Sequence, residues 1–365
     1  MEVKLLDLTR QYRSIKDEIL PMVQAIIESQ QFINGPIVKK FEENYAEFCG
    51  TKFAVGCSSG TDALLLSLMT MEVGPGDEVI TTPFTFFSTV EVVIRVGATP
   101  VFVDIDEKTF NIDTNKLEGA ITEKTRAIIP VHLFGQCSNM TRINETAKKY
   151  NLSVLEDAAQ SVGSSWDRRK AGSMGDVGCF SFFPSKNLGG FGDGGMVTTD
   201  NEELYEKLIR NRQHGISSVE KYQYESIGGN FRLDALQAGV LGIKLKYIEK
   251  WTKMRQKNAF FYQKTLKNVE KPHKLQESDH VYSQYVIKSK NRDLLIKKLK
   301  ENNIGHAVYY PRPIHLLGHL KHYGYKEGDL PISEKVCNEV LAIPIYPELL
   351  EKELLYITDI INSME

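Results

Sequence analysis

One lysine, Lys186, stands between apolar residues and a glycine-rich turn. It lies in the segment SFFPSKNLGG, after Phe182 and Phe183 and before Leu188, and GDGG follows at 192–195. A solvated surface charge is the default for a lysine, but these neighbours favour an amine shielded from water. Desolvation lowers the pKa of an amine and makes it a nucleophile or a Schiff-base former.

Two consecutive carboxylates, Glu156 and Asp157, follow the apolar run 152–155. Because side chains alternate between the two faces of a strand, only one of them can point into a site at the strand end. A carboxylate buried there needs a cationic partner. The alternative is that Asp157 caps a following helix.

Two small-residue turns each precede a predicted helix. Ser58, Ser59, Gly60 and Thr61 follow a short strand, so free N–H groups and the positive end of the helix dipole would form an anion site. The second turn, GGNFRLDALQ at 228–237, places Asn230 and Arg232 near the start of a helix. Ordinary helix capping is the alternative at both turns.

These features together predict a pyridoxal phosphate site. The phosphate of that cofactor needs N–H donors, its pyridine nitrogen needs a carboxylate to stay protonated, and its aldehyde needs an amine. The anion turns, the carboxylate pair and Lys186 supply all three requirements. No GxGxxG follows the first strand, which argues against a Rossmann dehydrogenase.

The elements that must position these residues alternate between strands and helices. This β-α-β order predicts a mostly parallel sheet with helices on both faces and ligands at the carboxyl ends of the strands. We predict strands at 53–57, 78–82, 99–103, 127–131, 152–156, 179–182 and 195–199, and helices at 13–30, 37–49, 61–71, 87–96, 139–150 and 202–213.

The C-terminal part is predicted to form a smaller α/β unit. A long helical pattern at 233–266 leads into it, followed by strands at 282–288 and 306–310 and helices at 292–302, 333–340 and 351–361. We therefore expect a large domain over 1–250 and a small domain over 251–365, with N-terminal residues as candidates to pack on the small domain.

Bulk properties exclude several classes of protein. The 365 residues are 42% hydrophobic and 25% charged with a net charge of -2, which gives no electrostatic basis for binding nucleic acid or a membrane surface. The five cysteines are scattered without a CxxC pair, so we expect no disulfide framework, and we assign no metal ligands. The start of the chain has no apolar signal segment, and no apolar run approaches the roughly 20 residues of a membrane span. We expect a cytoplasmic protein.

The chain resembles the DegT/DnrJ/EryC1/StrS family of sugar-nucleotide aminotransferases, which are fold-type-I pyridoxal phosphate enzymes. The resemblance covers essentially the whole chain, and eight motifs occurring in this order are specific. They are the LDLTRQYRSIKDEI start, SGTDAL, GPGDEVI, PVHLFGQ, EDAAQSVG, SFFPSKNLGGFGDGG, RQHG and GGNFRLDALQA. The fold it implies has a mostly parallel seven-stranded sheet in the large domain.

The resemblance also implies a role for each matching residue. Lys186 would bind the cofactor aldehyde and carry protons, and Asp157 would pair with the pyridinium nitrogen, with Glu156 as the alternative. The other cofactor residues would be Gly60, Thr61 and Ser181 at the phosphate, Phe86 stacked on the ring, Gln160 near its 3′ oxygen, and Asn230 reaching the neighbouring subunit's phosphate. Candidate substrate residues are Arg232, Tyr310 and His315, and His132 is either a core histidine or a site residue.

The implied reaction is a ping-pong transamination in a homodimer with shared sites. L-Glutamate would donate the amino group, pyridoxamine phosphate would carry it, and a nucleotide-linked keto-hexose would receive it, in the biosynthesis of amino sugars for surface polysaccharide such as lipopolysaccharide O-antigen. The segments PVHLFGQ and YYPRPIHL look more like those of members acting on 3-keto sugars than on 4-keto sugars. The alternatives are a dehydratase, whose family members carry His at the position of Lys186, and a cofactor-binding regulator without catalysis.

Overall fold

The computed structural model describes residues 1–217, 219–220 and 222–364. Two helices open the chain, α1 (Leu8–Ser29) and α2 (Pro36–Cys49). Asp7 caps α1 by accepting a hydrogen bond from the Thr9 N–H, so α1 begins earlier than the predicted 13–30. Pro36 starts α2, and Gly50 ends it with a φ of 75°, a left-handed conformation that glycine adopts without strain.

A seven-stranded sheet forms the centre of the larger part, as the resemblance implies. Its order is β1-β9-β8-β5-β4-β2-β3, and β9 runs antiparallel to both neighbours while the other pairs are parallel. The strands of this part are β1 (Phe53–Cys57), β2 (Glu78–Thr81), β3 (Thr99–Phe102), β4 (Thr125–Ile128), β5 (Ser153–Asp157), β6 (Ser165–Trp166), β7 (Arg169–Lys170), β8 (Val177–Ser181) and β9 (Gly195–Thr199).

Helices cover both faces of this sheet. Consecutive residues of one strand enter different cores, as Val154 and Leu155 of β5 do. The first core includes residues of α1 and α2, and the second includes residues of α3 and α6. The covering helices are α3 (Gly60–Thr70), α4 (Ser88–Arg95), α5 (Met140–Tyr150), α6 (Glu202–Asn211) and α7 (Ala235–Leu245).

The predicted long helix at 233–266 is two helices. α7 ends at Leu245, and α8 (Ile248–Thr265) begins after Lys246 and Tyr247. Asp234 caps α7 by accepting from the Gln237 N–H, so Asn230 is not the cap. α8 passes from the core beneath the large sheet, which contains Trp251, to a separate core that contains Tyr262.

The smaller part contains a two-stranded antiparallel sheet of β11 and β12. The predicted strand at 306–310 is wrong, because only Ala307 forms a bridge, to Ala342. Val3 pairs with Ile304, so the N-terminus packs on this part. The remaining elements are β10 (Ser278–Asp279), β11 (Tyr285–Lys288), α9 (Arg292–Glu301), α10 (Pro331–Glu339), β12 (Val340–Ile343) and α11 (Glu351–Asn362). Short 3₁₀ helices span Thr114–Lys116, Glu118–Ala120, Leu133–Gly135, Ile314–Leu316 and Gly318–Tyr323. Among the described residues, no helix is long and apolar enough to cross a membrane.

Candidate active site

A cavity of about 740 Å³ opens where β1, β4, β5 and β8 end and where β9 begins. Its floor comes from the large sheet, and one wall comes from the segment 308–317 of the smaller part. The predicted site residues that line it are Gly60, Thr61, Phe86, Asp157, Gln160, Ser181, Lys186 and Tyr310.

Lys186 reaches the cavity from a tight turn after β8. Its backbone N–H donates to the Phe183 carbonyl at 2.8 Å. The turn closes at Gly189, where a Cβ atom would lie 2.2 Å from the Pro184 oxygen, so only glycine fits. Burial lowers the pKa of Lys186 in spite of the opposing attraction of Asp157. The apolar context in the sequence therefore indicated the right environment for this amine.

Asp157, and not Glu156, faces the cavity. Asp157 is the last residue of β5, and its Oδ2 accepts a hydrogen bond of 2.7 Å from the Thr89 hydroxyl. Burial raises the pKa of Asp157, while the bond from Thr89 and the charge of Lys186 act in the opposite direction. A cation placed beside this carboxylate would favour its ionised form.

Glu156 points to the other face of β5, where it is fully buried. Its Oε1 accepts from the N–H groups of Met174 at 2.6 Å and Gly175 at 2.7 Å, and its Oε2 accepts from Gly172 N–H at 2.8 Å. Oε2 also lies 2.8 Å from Nε2 of His132. Burial opposes the charge on Glu156, but the hydrogen bonds from His132, Gly172 and Gly175 outweigh it and lower the pKa of Glu156.

His132 is a core histidine whose two ring nitrogens are both paired. Its Nδ1 accepts from the Ser138 N–H at 3.1 Å, so a neutral ring carries its proton on Nε2 and donates it to Glu156. The ring is fully buried and does not line the cavity. Of the two interpretations left open by the sequence, the structure favours the core histidine.

The Gly60 turn and the end of β8 approach each other closely. A Cβ atom on residue 60 would lie 2.6 Å from Cβ of Ser181, so glycine is required here. Ser59 caps α3 by accepting from the Asp62 N–H, and α3 points its free N-terminal N–H groups at the cavity. The Thr61 hydroxyl lies 2.7 Å from that of Ser88. Glycine, hydroxyls and a helix N-terminus together form a cradle suited to a phosphate.

Gln160 joins the two walls of the cavity. Its Nε2 donates to the hydroxyl of Tyr310 at 3.1 Å, and its Oε1 accepts from the Phe134 N–H at 2.9 Å. Phe86, whose residue surface is 59% exposed, stands at the cavity with its ring available for stacking.

Three predicted residues do not line the cavity of their own chain. Asn230 is exposed and pairs through its backbone with Gln213. Arg232 has its Nε buried without a hydrogen-bond partner. His315 is buried, and its Nε2 lies 3.1 Å from Glu334, so this side chain supports the wall and does not face a substrate in the same chain.

Several lining residues escaped the sequence interpretation. Thr89 was missed although Thr85 stands four residues before it, and their hydroxyls lie 3.0 Å apart. Tyr309 and Arg312 were missed although both belong to the quoted segment YYPRPIHL, in which each stands beside a predicted residue or a proline.

The cavity fits pyridoxal phosphate. The Gly60–Ser181 cradle would hold the phosphate, and Asp157 would face the ring nitrogen. Lys186 supplies an amine with a lowered pKa, and Phe86 supplies an exposed ring. The fold and this donor set define a fold-type-I pyridoxal phosphate enzyme.

Comparisons with known proteins lead to the same class. The chain belongs to the DegT/DnrJ/EryC1/StrS aminotransferase family, whose model matches residues 13–362. It is 45% identical to a protein of Geobacillus stearothermophilus named pleiotropic regulatory protein, over 98% of this chain and 97% of that one. It is 40% identical to the UDP-N-acetyl-3-dehydro-alpha-D-glucosamine 3-aminotransferase of Acidithiobacillus ferrooxidans, over 99% and 97%. It is also 40% identical to the UDP-2-acetamido-2-deoxy-3-oxo-D-glucuronate aminotransferase of Pseudomonas aeruginosa, over 95% and 96%.

Solved structures are similar over nearly the whole chain. S. venezuelae DesV, solved in complex with a ketimine intermediate, superposes with a TM-score of 0.96 at 36% identity, over 99% of this chain and 98% of that one. NtdA of Bacillus subtilis, solved with bound pyridoxamine phosphate, gives 0.90 at 32% identity, over 98% and 85%. The protein is thus a pyridoxal phosphate-dependent aminotransferase of the sugar-nucleotide type.

Proposed function

We propose that this protein transfers the amino group of L-glutamate to the C3 keto group of a nucleotide-linked hexose. The observation that carries the proposal is the convergence of Lys186 and Asp157 in one cavity beside the Gly60–Ser181 cradle. When bound there, pyridoxal phosphate accepts the amino group and serves as an electron sink.

Lys186 is the group placed to move protons. Because burial lowers its pKa, a larger fraction of its Nζ is uncharged near neutral pH than for an exposed lysine. The free amine can take the proton from the α-carbon of the amino donor in the first half-reaction and return a proton to the sugar carbon in the second. In each half-reaction Lys186 therefore acts first as base and then as acid, so it gains no net proton.

Asp157 supplies a carboxylate that lines the same cavity. Thr89 and the Ala159 N–H hold its two oxygens at 2.7 Å and 3.2 Å, so the carboxylate keeps its orientation. Burial raises the pKa of Asp157, and a protonated ring nitrogen beside it would oppose this effect by favouring the ionised carboxylate. We propose that this pairing keeps the ring electron-withdrawing throughout the cycle.

Two relatives with 40% identity are named for 3-dehydro and 3-oxo sugar substrates, which supports C3 over C4 as the carbon aminated here. The segment YYPRPIHL, which looks more like that of members acting on 3-keto sugars, lines the cavity with Tyr309, Tyr310 and Arg312. The runner-up proposal is the same reaction on a 4-keto sugar.

Neither a dehydratase nor a non-catalytic regulator is favoured by the site. A dehydratase of this family carries histidine at the position of Lys186, and a regulator has no need of both Lys186 and Asp157. The regulatory name of the Geobacillus stearothermophilus relative describes that protein. The complete catalytic pair supports an enzyme.

We further propose a cytoplasmic homodimer that shares its sites and makes amino sugars for surface polysaccharide. Asn230 is exposed and outside its own cavity, which is the placement needed to reach a second chain. The proposed domains are 1–250 and 251–365, and their boundary falls inside α8, which enters both cores.

The test is to replace Lys186 and to determine which sugar carbon is aminated. Lys186→Ala and Lys186→Arg should both abolish turnover and the visible absorbance of lysine-bound cofactor, whereas Lys250→Ala, at an exposed position, should change neither. NMR of the product from wild-type enzyme, glutamate and 3-keto or 4-keto sugar nucleotides should show an amine on C3. A Lys186→Ala enzyme that retained turnover would refute the assignment, and amination at C4 would select the runner-up.

A further inference from the structure

The cavity holds few charges for a site that must bind a polyanionic substrate. Among the residues that the structure describes, four charged side chains line it: Asp157, Lys186, Asp193 and Arg312. Asp157 and Lys186 serve the cofactor. Of the charges that one chain contributes, one carboxylate and one guanidinium, Asp193 and Arg312, therefore remain for the substrate.

Arg312 is an exposed cation that lines the cavity. Within the described parts of the chain, its guanidinium has neither an ion pair nor a hydrogen bond. An unpaired guanidinium keeps all five N–H donors for a ligand, in a planar fork that matches phosphate oxygens.

The backbone around Arg312 is held in place. Pro311 and Pro313 flank it; the ring of each proline fixes its own φ angle, and Pro313 also restricts the backbone of Arg312 to extended conformations. The Ile314 N–H donates to the Pro83 carbonyl at 2.9 Å, and the hydroxyl of Tyr310 accepts from Gln160. These bonds join the wall to the large sheet on both sides of Arg312, so its side chain projects from a fixed position.

We propose that Arg312 binds the diphosphate of the nucleotide-linked sugar, an inference that rests on the proposed function. The diphosphate is the part of that substrate on which negative charge is concentrated, and Arg312 stands at the exposed rim of the cavity, where the nucleotide would leave it. Asp193 repels phosphate, so the diphosphate lies on the Arg312 side. Arg312 thus selects nucleotide-linked sugars over free sugars.

Glutamate is the other anionic substrate available to Arg312. Because glutamate reacts in the first half-reaction and the sugar in the second, measuring each half-reaction separately shows which of the two Arg312 binds. In Arg312→Gln we expect the KM for the nucleotide keto sugar to rise about ten- to hundredfold, the size of one lost charge-assisted hydrogen-bond pair. The rate at saturating sugar and the half-reaction with glutamate should stay close to wild type. Arg312→Lys keeps the charge but lacks the planar fork of donors, so its KM for the sugar should lie between those of wild type and Arg312→Gln.

Lys321→Gln is the matched control. Lys321 lies in the 3₁₀ helix Gly318–Tyr323 that follows the same wall, is exposed, and does not line the cavity. Losing this charge should leave both KM values unchanged. A Lys321→Gln enzyme whose KM for the sugar rises as much as that of Arg312→Gln would overturn the inference. An Arg312→Gln enzyme whose KM rises for glutamate alone would also overturn it.

Binding of UDP and dTDP, measured by calorimetry on the cofactor-loaded enzyme, distinguishes this inference from the proposed function. We expect Arg312→Gln to weaken at least one of them tenfold or more. If wild type binds a nucleoside diphosphate through Arg312 but aminates no nucleotide keto sugar, the proposed function fails and the Arg312 site stands. If wild type aminates the sugar and Arg312→Gln matches it in KM and in nucleotide binding, the Arg312 site is refuted alone.

Discussion

The two adjacent carboxylates of β5 should respond in opposite ways to the loss of their charge. In Glu156→Gln, an amide keeps one acceptor oxygen where the carboxylate has two, and each of those two receives N–H donors. The new NH₂ group would face two buried donors, either Met174 and Gly175 or Gly172 and His132. His132 cannot change tautomer without losing its bond from Ser138.

The expected cost follows from the number of donors left unpaired. Two buried donors that lose a charged acceptor cost about 3–5 kcal/mol together. With an unfolding entropy of about 2.1 cal/mol/K per residue and 365 residues, this corresponds to a melting temperature lower by about 4–7 °C. The lowered pKa of Glu156 agrees in sign, because a folded-state pKa below that of the unfolded chain means that ionised Glu156 stabilises the fold.

Asp157→Asn should leave stability intact and remove catalysis. Burial raises the pKa of Asp157 in the cofactor-free protein, so its charge is unfavourable to the fold and a neutral amide should not lower the melting temperature. The cofactor should still bind, but kcat should fall by about 10²–10³ or more, the usual effect of losing one preorganised electrostatic group.

The assay is thermal unfolding of the cofactor-free variants by circular dichroism, together with kcat measured by release of 2-oxoglutarate. Glu156→Gln should lower the melting temperature and retain most of its kcat when folded, and Asp157→Asn should do the reverse. If Asp157→Asn works at a near-normal rate while Glu156→Gln melts like wild type and loses its kcat, the assignment of the two carboxylates is wrong.

Two further predictions concern cofactor affinity and pH. Gly60→Ala should weaken cofactor binding about tenfold or more in an absorbance titration, because a Cβ would lie 2.6 Å from that of Ser181, whereas Gly119→Ala meets nothing within 4 Å and should bind normally. Equal affinities would refute the close-approach argument. Burial lowers the pKa of His280 to about 3, so the unfolded chain binds a proton that the fold excludes, and stability should fall as pH drops from about 6.5 toward that value. His280→Gln should flatten this slope in urea unfolding, and an unchanged slope would assign it to other groups.

The residues at the cofactor end of the site could be predicted because local sequence patterns indicate their chemistry. Lys186 stands in a short apolar and glycine-rich run, and Asp157 follows an apolar strand. Strand alternation also predicted that Glu156 and Asp157 would face opposite ways, although it could not say which of them faced the cavity. That choice depends on the register of β5 against β4 and β8, which is set by packing across the sheet.

The substrate end could not be predicted in the same way, because it depends on contacts between distant segments. His315 looked like a substrate residue, but Glu334 of α10 holds it inside the wall. Arg312, three residues earlier, faces the cavity because Ile314 is anchored to Pro83. The predicted strand at 306–310 failed for a similar reason, since only Ala307 finds a partner in β12.

The pairing of Val3 with Ile304 has a consequence for the making of the protein. The ion pair of Arg10 with Glu353, at 2.6 Å, adds a second contact between the segment around α1 and the smaller part. During synthesis Val3 and Arg10 must therefore wait until Ile304 and Glu353 have been made before they find their partners, and contacts of such long range form slowly. Removal of Val3 and its neighbours should consequently slow the folding of the smaller part before it affects the large sheet.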